Sequence, residues 1–139
     1  MALAFAVATP LLPTGIYTIP EVSMVGETEE SLRKKDIPYV VGRAYARHNA
    51  RGKIIGDERG MLKLLFRKGD MKLLGAHTLG EHATDLIHIA LIVMVAGQGA
   101  QLLFETCFNY PTLGDMYKAA TYSAVGTATR LDGLAGFSD

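Results

Sequence analysis

From Leu86 to Val95 every residue except His88 is apolar. The run lies inside residues 81–96, which hold neither Gly nor Pro, and Gly97 and Gly99 close it. A stretch of that kind reads as a helix, and a helix that is apolar nearly all round must be covered on several sides. It is too short to cross a bilayer, which takes about 20 apolar residues. The cover therefore comes from the chain's own sheet or from a second subunit. A composition of 49% hydrophobic against 20% charged residues points to the same buried interface.

The sheet is legible upstream. Leu62, Leu64 and Phe66 alternate with Lys63 and Arg67, the period of a half-buried strand. Lys68-Gly69-Asp70 supplies a turn, and Met71 to Leu79 is the returning strand. "GIYTIPEVSMVG" reads as two short strands or one bent strand, with Pro20 barred from a central ladder position. "ETEESLRKKD" reads as a short helix: Thr28 caps it, Glu29 and Glu30 open it, Lys34 and Lys35 close it, and Pro38 stops the chain from continuing. "YVVGRAYARHNARG" reads as a strand running into a basic loop. After the apolar helix come a short helix near 100–105 and another from about Thr112 to Val125. Strands and helices are segregated along the chain, so the expected fold is α+β, an antiparallel β-sheet with helices packed on one face. The expected division is an N-terminal arm over 1–12, one domain over 13–125 and a loose tail over 126–139. "MALAFAVATPLLP" has the apolar run of a secretion signal but no Lys or Arg ahead of it, and it reads as an arm.

Several chemistries find no support. Lys plus Arg equals Asp plus Glu, at 14 each, so there is no basic excess for nucleic acid and no polybasic run for a membrane surface. The single Cys107 leaves no internal disulfide and no CxxC pair, which fits a cytoplasmic setting. No GxGxxG is present; the nearest relic, "GQGAQLLFE", follows a helix rather than a strand. No P-loop occurs either. His82, Asp85 and His88 are spaced i, i+3, i+6, with His77 nearby, but His88 is displaced around the helix. The ordinary reading is a helix start with favourable acids, and no metal is expected. A free cysteine is usually a small buried hydrophobe, and Cys107 has no histidine close in sequence to activate it.

The densest constellation is "TCFNYPTLGDMYKAA", Thr106 to Ala120. Thr112 to Asp115 resembles a capping box, with Thr112 as the N-cap. Pro111 keeps Tyr110 extended and aims it outward at the mouth of the helix, through a peptide bond that is either cis or trans.

Four stretches, "PTGIYTIPEVSMVGETEESL", "PYVVGRAYARHNARGKIIGDERGMLKLLF", "LLGAHTLGEHATDLIHIA" and "FNYPTLGDMYKAA", follow one another in an order that resembles the C-terminal dimerisation domain of the flavin-dependent pyridine nucleotide–disulfide oxidoreductases. Within that family the chain is most similar to the soluble, FAD-dependent pyridine nucleotide transhydrogenase branch. The resemblance covers roughly residues 13–125. In the family's disulfide reductases the last stretch carries a His-Pro-Thr motif with a Glu after it; the His faces the flavin and dithiol of the opposite subunit and works as acid/base. Here the His position is Tyr110 and the Glu position is Asp115. A phenol titrating near ~10 is a poor thiol base, and the transhydrogenase branch resembles this chain in carrying Tyr there, passing hydride between NADH, flavin and NADP without thiols.

The resemblance implies FAD and NAD(P) for a full-length enzyme. For the chain alone it implies no cofactor, no turnover, and a homodimer whose catalytic body lies on a missing or separate segment. Tyr110 and Pro111 would face a flavin in trans. The helices over 81–96 and 112–125 would form the interface, with Leu86, Ile89, Ala90, Val93 and Met116 in contact. A freestanding binding module that keeps the fold, and a small enzyme using Cys107, Tyr110 or the histidines, are the competing readings. The first would act through its dimer surface or a new partner; neither nucleic acid nor membrane is expected.

Overall fold

The computed structural model describes residues 11–135, with side chains through 130. The expected arm over 1–12 falls almost wholly outside that range; Leu11 and Leu12 carry no regular structure and are exposed. Five strands form one antiparallel sheet. They are β1 (Thr14–Ile16), β2 (Glu21–Gly26), β3 (Tyr39–Tyr45), β4 (Met61–Arg67) and β5 (Leu73–Gly80), in the order β1-β2-β5-β4-β3. Pro20 sits in the break between β1 and β2, where no ladder bond is needed from it. The β4–β5 hairpin turns where expected, but β5 starts at Leu73. Met71 takes a left-handed φ of 55° and Lys72 instead bridges to Gly99. Asp70 holds the turn by accepting from the Arg67 guanidinium and from the Lys72 amide.

Two long helices cover one face. α3 (Ala83–Val95) lies over β5 and β2, and α5 (Met116–Ala135) lies over β3 and β4. Between sheet and helices is one core, in which Leu62, Leu64 and Phe66 from β4 meet Ile87, Ala90 and Val93 from α3 and Tyr117, Ala120 and Ala124 from α5. The buried Tyr117 hydroxyl donates to the Leu86 carbonyl at 2.8 Å and ties the two helices together. The α+β class with an antiparallel sheet therefore holds.

The short α1 (Glu29–Lys34) adds cover on the other face. Its N-cap is Thr28, as the sequence indicates, paired with Ser31 in a reciprocal capping box. Its Leu32 is fully buried, and Glu29 takes the Lys63 ammonium, whose side chain alternates with Leu62 and Leu64 and so leaves the sheet on the opposite side.

Three local expectations fail for identifiable reasons. The basic loop after β3 contains a helix, α2 (Ala50–Ile55): Asn49 accepts from the Gly52 amide at its start, and Gly56 ends it in the left-handed conformation at φ 71°. The tail is not loose over 126–135, because α5 continues through Gly126 to Ala135. The Thr127 and Thr129 hydroxyls return to carbonyls four residues upstream, so they do not compete for a cap. The Thr112–Asp115 capping box does not form: the Thr112 hydroxyl donates to the Asn109 carbonyl, Leu113–Asp115 make a 3-10 turn, and α5 begins only at Met116.

The closest approach in the core is at Gly42 of β3. A Cβ there would stand 1.9 Å from the Ala120 carbonyl oxygen and 2.9 Å from the Ala124 methyl. The sheet is thus in backbone contact with α5, which only glycine allows. Gly42→Ala is expected to lower stability by about 1–3 kcal/mol in urea unfolding, since backbone and not a flexible side chain must move; an unchanged midpoint would contradict this seating.

Candidate functional site

The segment between α4 (Ala100–Glu105) and α5 carries the exposed chemistry. Thr106 closes α4 by donating its hydroxyl to the Leu102 carbonyl. Phe108 then anchors the loop, lying nearly parallel to the buried Tyr117 ring at 6.4 Å between centroids. The Tyr110-Pro111 bond is cis. Two donors from the start of α2 hold the next carbonyls: Asn49 Nδ2 reaches Thr112 O at 3.0 Å, and Arg51 Nε reaches Pro111 O at 3.2 Å. The backbone is fixed from behind, and the Tyr110 ring is left 75% exposed in front. The outward aim expected of Tyr110 is what the structure shows.

Beside Tyr110 lies a cavity of about 260 Å³, lined by Arg43, Tyr45, His48, Tyr110 and Asp115 among others. His48 accepts from Arg47 Nε at 3.2 Å, Tyr45 meets it edge-on, and Arg47 lies 4.5 Å above the Tyr45 ring. The sequence reading did not single out His48. Its signal was the Asn49 cap, which sets the turn that brings position 48 next to the Tyr110 loop. A larger cleft of about 890 Å³ opens on the other side, between Ile19-Pro20, α2 and the start of α3, with Arg51, Asp57, His82 and Leu86 on its walls. Asp57 is committed to structure there, accepting from the backbone amides of Arg59, Gly60 and Glu81.

The histidine-rich helix start is dispersed over the surface. His82 takes a left-handed φ of 55° and stands 3.7 Å from Asp85 and 3.8 Å from Glu81. His88 meets the Asp85 carbonyl through Nδ1. Among the described residues no group of three or more His, Cys, Asp or Glu side chains could hold a metal ion. Cys107 is exposed, contrary to the ordinary expectation for a free cysteine, because the loop turns Phe108 inward instead.

The five residues expected at an interface separate into two groups. Ala90, Val93 and Met116 are buried in the chain's own core, since α3 and α5 pack on the sheet through those positions. Leu86 and Ile89 are half-buried against the same core. The apolar residues of α3 that remain open are Ile92, 68% exposed, and Val95, 72% exposed. A charge at Val93 would therefore test the core rather than a surface.

A five-stranded antiparallel sheet backed by two long helices, with a cis-Pro loop at the mouth of the second, defines a class. Residues 12–121 match the family model described as pyridine nucleotide-disulphide oxidoreductase, dimerisation domain, and the chain belongs to that family. It is 48% identical over 124 residues to the soluble pyridine nucleotide transhydrogenase of Mycobacterium bovis (strain BCG / Pasteur 1173P2), covering 89% of this chain and 26% of that protein. The soluble pyridine nucleotide transhydrogenase of Yersinia pestis (strain Pestoides F) is 44% identical over 117 residues, covering 82% of this chain and 25% of that protein. Among solved structures, the HOCl-induced flavoprotein disulfide reductase RclA from Escherichia coli superposes with a TM-score of 0.77 at 26% identity, over 81% of this chain and 26% of that one. The chain thus spans about a quarter of the length of the curated relatives it matches.

Asn49 both caps α2 and holds the Thr112 carbonyl. Asn49→Ala is expected to cost about 1–2 kcal/mol of stability and to raise amide exchange selectively in α2 and residues 108–114. Exchange rising elsewhere but not there would contradict the clamp.

Proposed function

We propose that this chain is the self-associating domain of a flavin-dependent transhydrogenase-type oxidoreductase. In this reading the full-length enzyme uses FAD to pass hydride between NADH and NADP in the cytoplasm, and this domain makes the homodimer and lends the Tyr110 loop to the flavin site of its partner. The identity to soluble transhydrogenases over most of the chain supports the branch. The observation that carries the role is the Tyr110 loop, whose backbone is clamped by Asn49 and Arg51 while its ring stands free. A side chain prepared in that way can cover a planar ligand on another surface without reorganising its own backbone.

The chemistry assigned to the loop is positioning. Position 110 offers a phenol where the disulfide reductases carry an imidazole, and hydride transfer through a bound flavin needs no thiol base. FAD would supply the two-electron chemistry; the residues here would orient and shield it. The 139 residues contain no Gly-rich dinucleotide fingerprint, so the chain by itself is assigned no turnover and no tightly held cofactor. Self-association is assigned to the open apolar side of α3, at Ile92 and Val95, with Leu86 and Ile89 at its margin.

A chimera tests the role directly. The matching quarter of the Mycobacterium bovis transhydrogenase would be replaced by this chain. The chimera is expected to be a dimer that retains hydride transfer, and Tyr110→Ala within it should lower kcat by about tenfold, one lost positioning contact of ~1.4 kcal/mol, at unchanged mass. A flavin-loaded dimer whose rate ignores Tyr110→Ala would overturn the assignment of the loop.

A further inference from the structure

One row of side chains crosses the outer face of the sheet from edge to edge. Ile16 of β1 stands opposite Val22 of β2, Val22 opposite Leu79 of β5, Leu79 opposite Met61 of β4, and Met61 opposite Tyr45 of β3. Directly opposed residues put their side chains on the same face. Their chain neighbours Ser23, Thr78, Leu62 and Ala44 are buried on the inner one. None of the five is part of the core between sheet and helices. Ile16 is 49% exposed, and the other four are half-buried. With strands about 4.8 Å apart, the row is roughly 19 Å long.

An antiparallel sheet that turns one face to water ordinarily carries polar residues there. The next row follows that rule in part, with Thr14, Met24, His77, Lys63 and Arg43. The row beyond it, with Gly75 and Leu65, is buried, and the Glu27 backbone crosses so close that a Cβ at Gly75 would stand 2.0 Å from the Glu27 carbonyl oxygen. The row from Ile16 to Tyr45 holds no charged residue. Beside it, Lys63 and Arg43 are both engaged by Glu29, at 3.1 Å and 3.5 Å. What the row offers another surface is therefore apolar contact. A continuous apolar strip of this kind marks an interaction surface.

The occupant follows from what else the domain must meet. α3 and α5 cover the inner face, so a second copy seated on the open side of α3 lies across the sheet from this row. The chain spans about a quarter of the relatives it matches, which leaves about three quarters of such a protein to be placed. We propose that the row from Ile16 to Tyr45 is the seat of the flavin- and nucleotide-binding body of the full-length oxidoreductase, which lays an apolar, uncharged surface along it. The inference rests on the function proposed above, in which that body lies on another segment. The domain then has two working faces: the α3 side joins copies, and the outer face of the sheet joins the body. Tyr45 also lines the cavity beside Tyr110, so the seat ends at the wall of the loop's own site.

Two measurements test the seat. In the chain alone, Ile16→Glu and Met61→Glu are expected to leave the mass in light scattering unchanged. A fall in mass would make a second copy the occupant and overturn the proposal. In the chimera with the Mycobacterium bovis transhydrogenase, thiol labelling reads the cover. With Cys107→Ser as background, Val22→Cys and Met61→Cys are expected to react with a maleimide about tenfold more slowly in the chimera than in the chain alone, because thiol reactivity follows access. Each rate is normalised to the denatured protein and corrected for the chimera without an added cysteine. Equal rates in the two proteins would overturn the seat. Should the fused form not fold, the rest of the relative, added in excess as a separate polypeptide, takes its place in the same comparison. Labelling reads neither mass nor hydride transfer, so the two readings fail separately. A monomeric chimera, or one indifferent to Tyr110→Ala, that is still protected along the row refutes the proposed function and supports the seat. An active dimer labelled as fast as the chain alone does the reverse.

Discussion

The contact on which the rest depends is the seating of α5 against β3 at Gly42. With no side chain between them, the Ala120 carbonyl lies on the strand backbone, and the flanking Ala124 fits the same groove. That depth places Tyr117 where its ring fills the core and its hydroxyl reaches Leu86, so the position of α3 follows from that of α5. The loop before α5 inherits both constraints. Phe108 rests on Tyr117, and the chain must then cross to the start of α2, where Asn49 and Arg51 receive it. The exposed Tyr110 is thus the end of a series of packed contacts that begins in the middle of the sheet.

The two faces of the sheet use different physics. The inner face is apolar and close-packed, and its tolerance is set by volume. The outer face carries Lys63, His77 and Arg43 between apolar neighbours, and its cover, α1, is held by one buried leucine and one shared carboxylate. Such a cover is the weaker of the two, because ion pairs that remain partly solvated contribute little. Local opening is then expected on the α1 side, while the α3 and α5 side stays shut.

Much of this was legible in the sequence because local and global signals agree. The alternation in β4, the Thr28 cap and the unbroken apolar run of α3 each state their element within a few residues. α2 was overlooked although Asn49 and Gly56 mark both its ends, because six residues with two basic side chains show no apolar stripe. The end of α5 was misread because Gly126 looks like a stop, whereas the helix continues past it. The Tyr110 loop could be found by resemblance, and its outward aim by Pro111, but the clamp from Asn49 and Arg51 joins positions about sixty apart. No sequence period encodes a contact of that range. The same holds for His48, which reaches the site only through the turn that starts α2. Burial inside one chain could not be told from burial at an interface, and so Ala90, Val93 and Met116 were assigned to a partner when they belong to the core.

What remains of the original constraint is its other half. The chain's own sheet covers α3 at Ala83, Ile87, Ala90 and Val93, yet Ile92 and Val95 stay open beside a helix with no charged residue after His88. The chain belongs to a family of dimerisation domains, and the self-association proposed for it is assigned to that open side. Light scattering on the purified chain, coupled to size-exclusion chromatography, tests that claim most directly. A mass about twice 15.0 kDa is the predicted result; a clean, concentration-independent monomer would contradict it and leave the open side of α3 without the partner assigned to it.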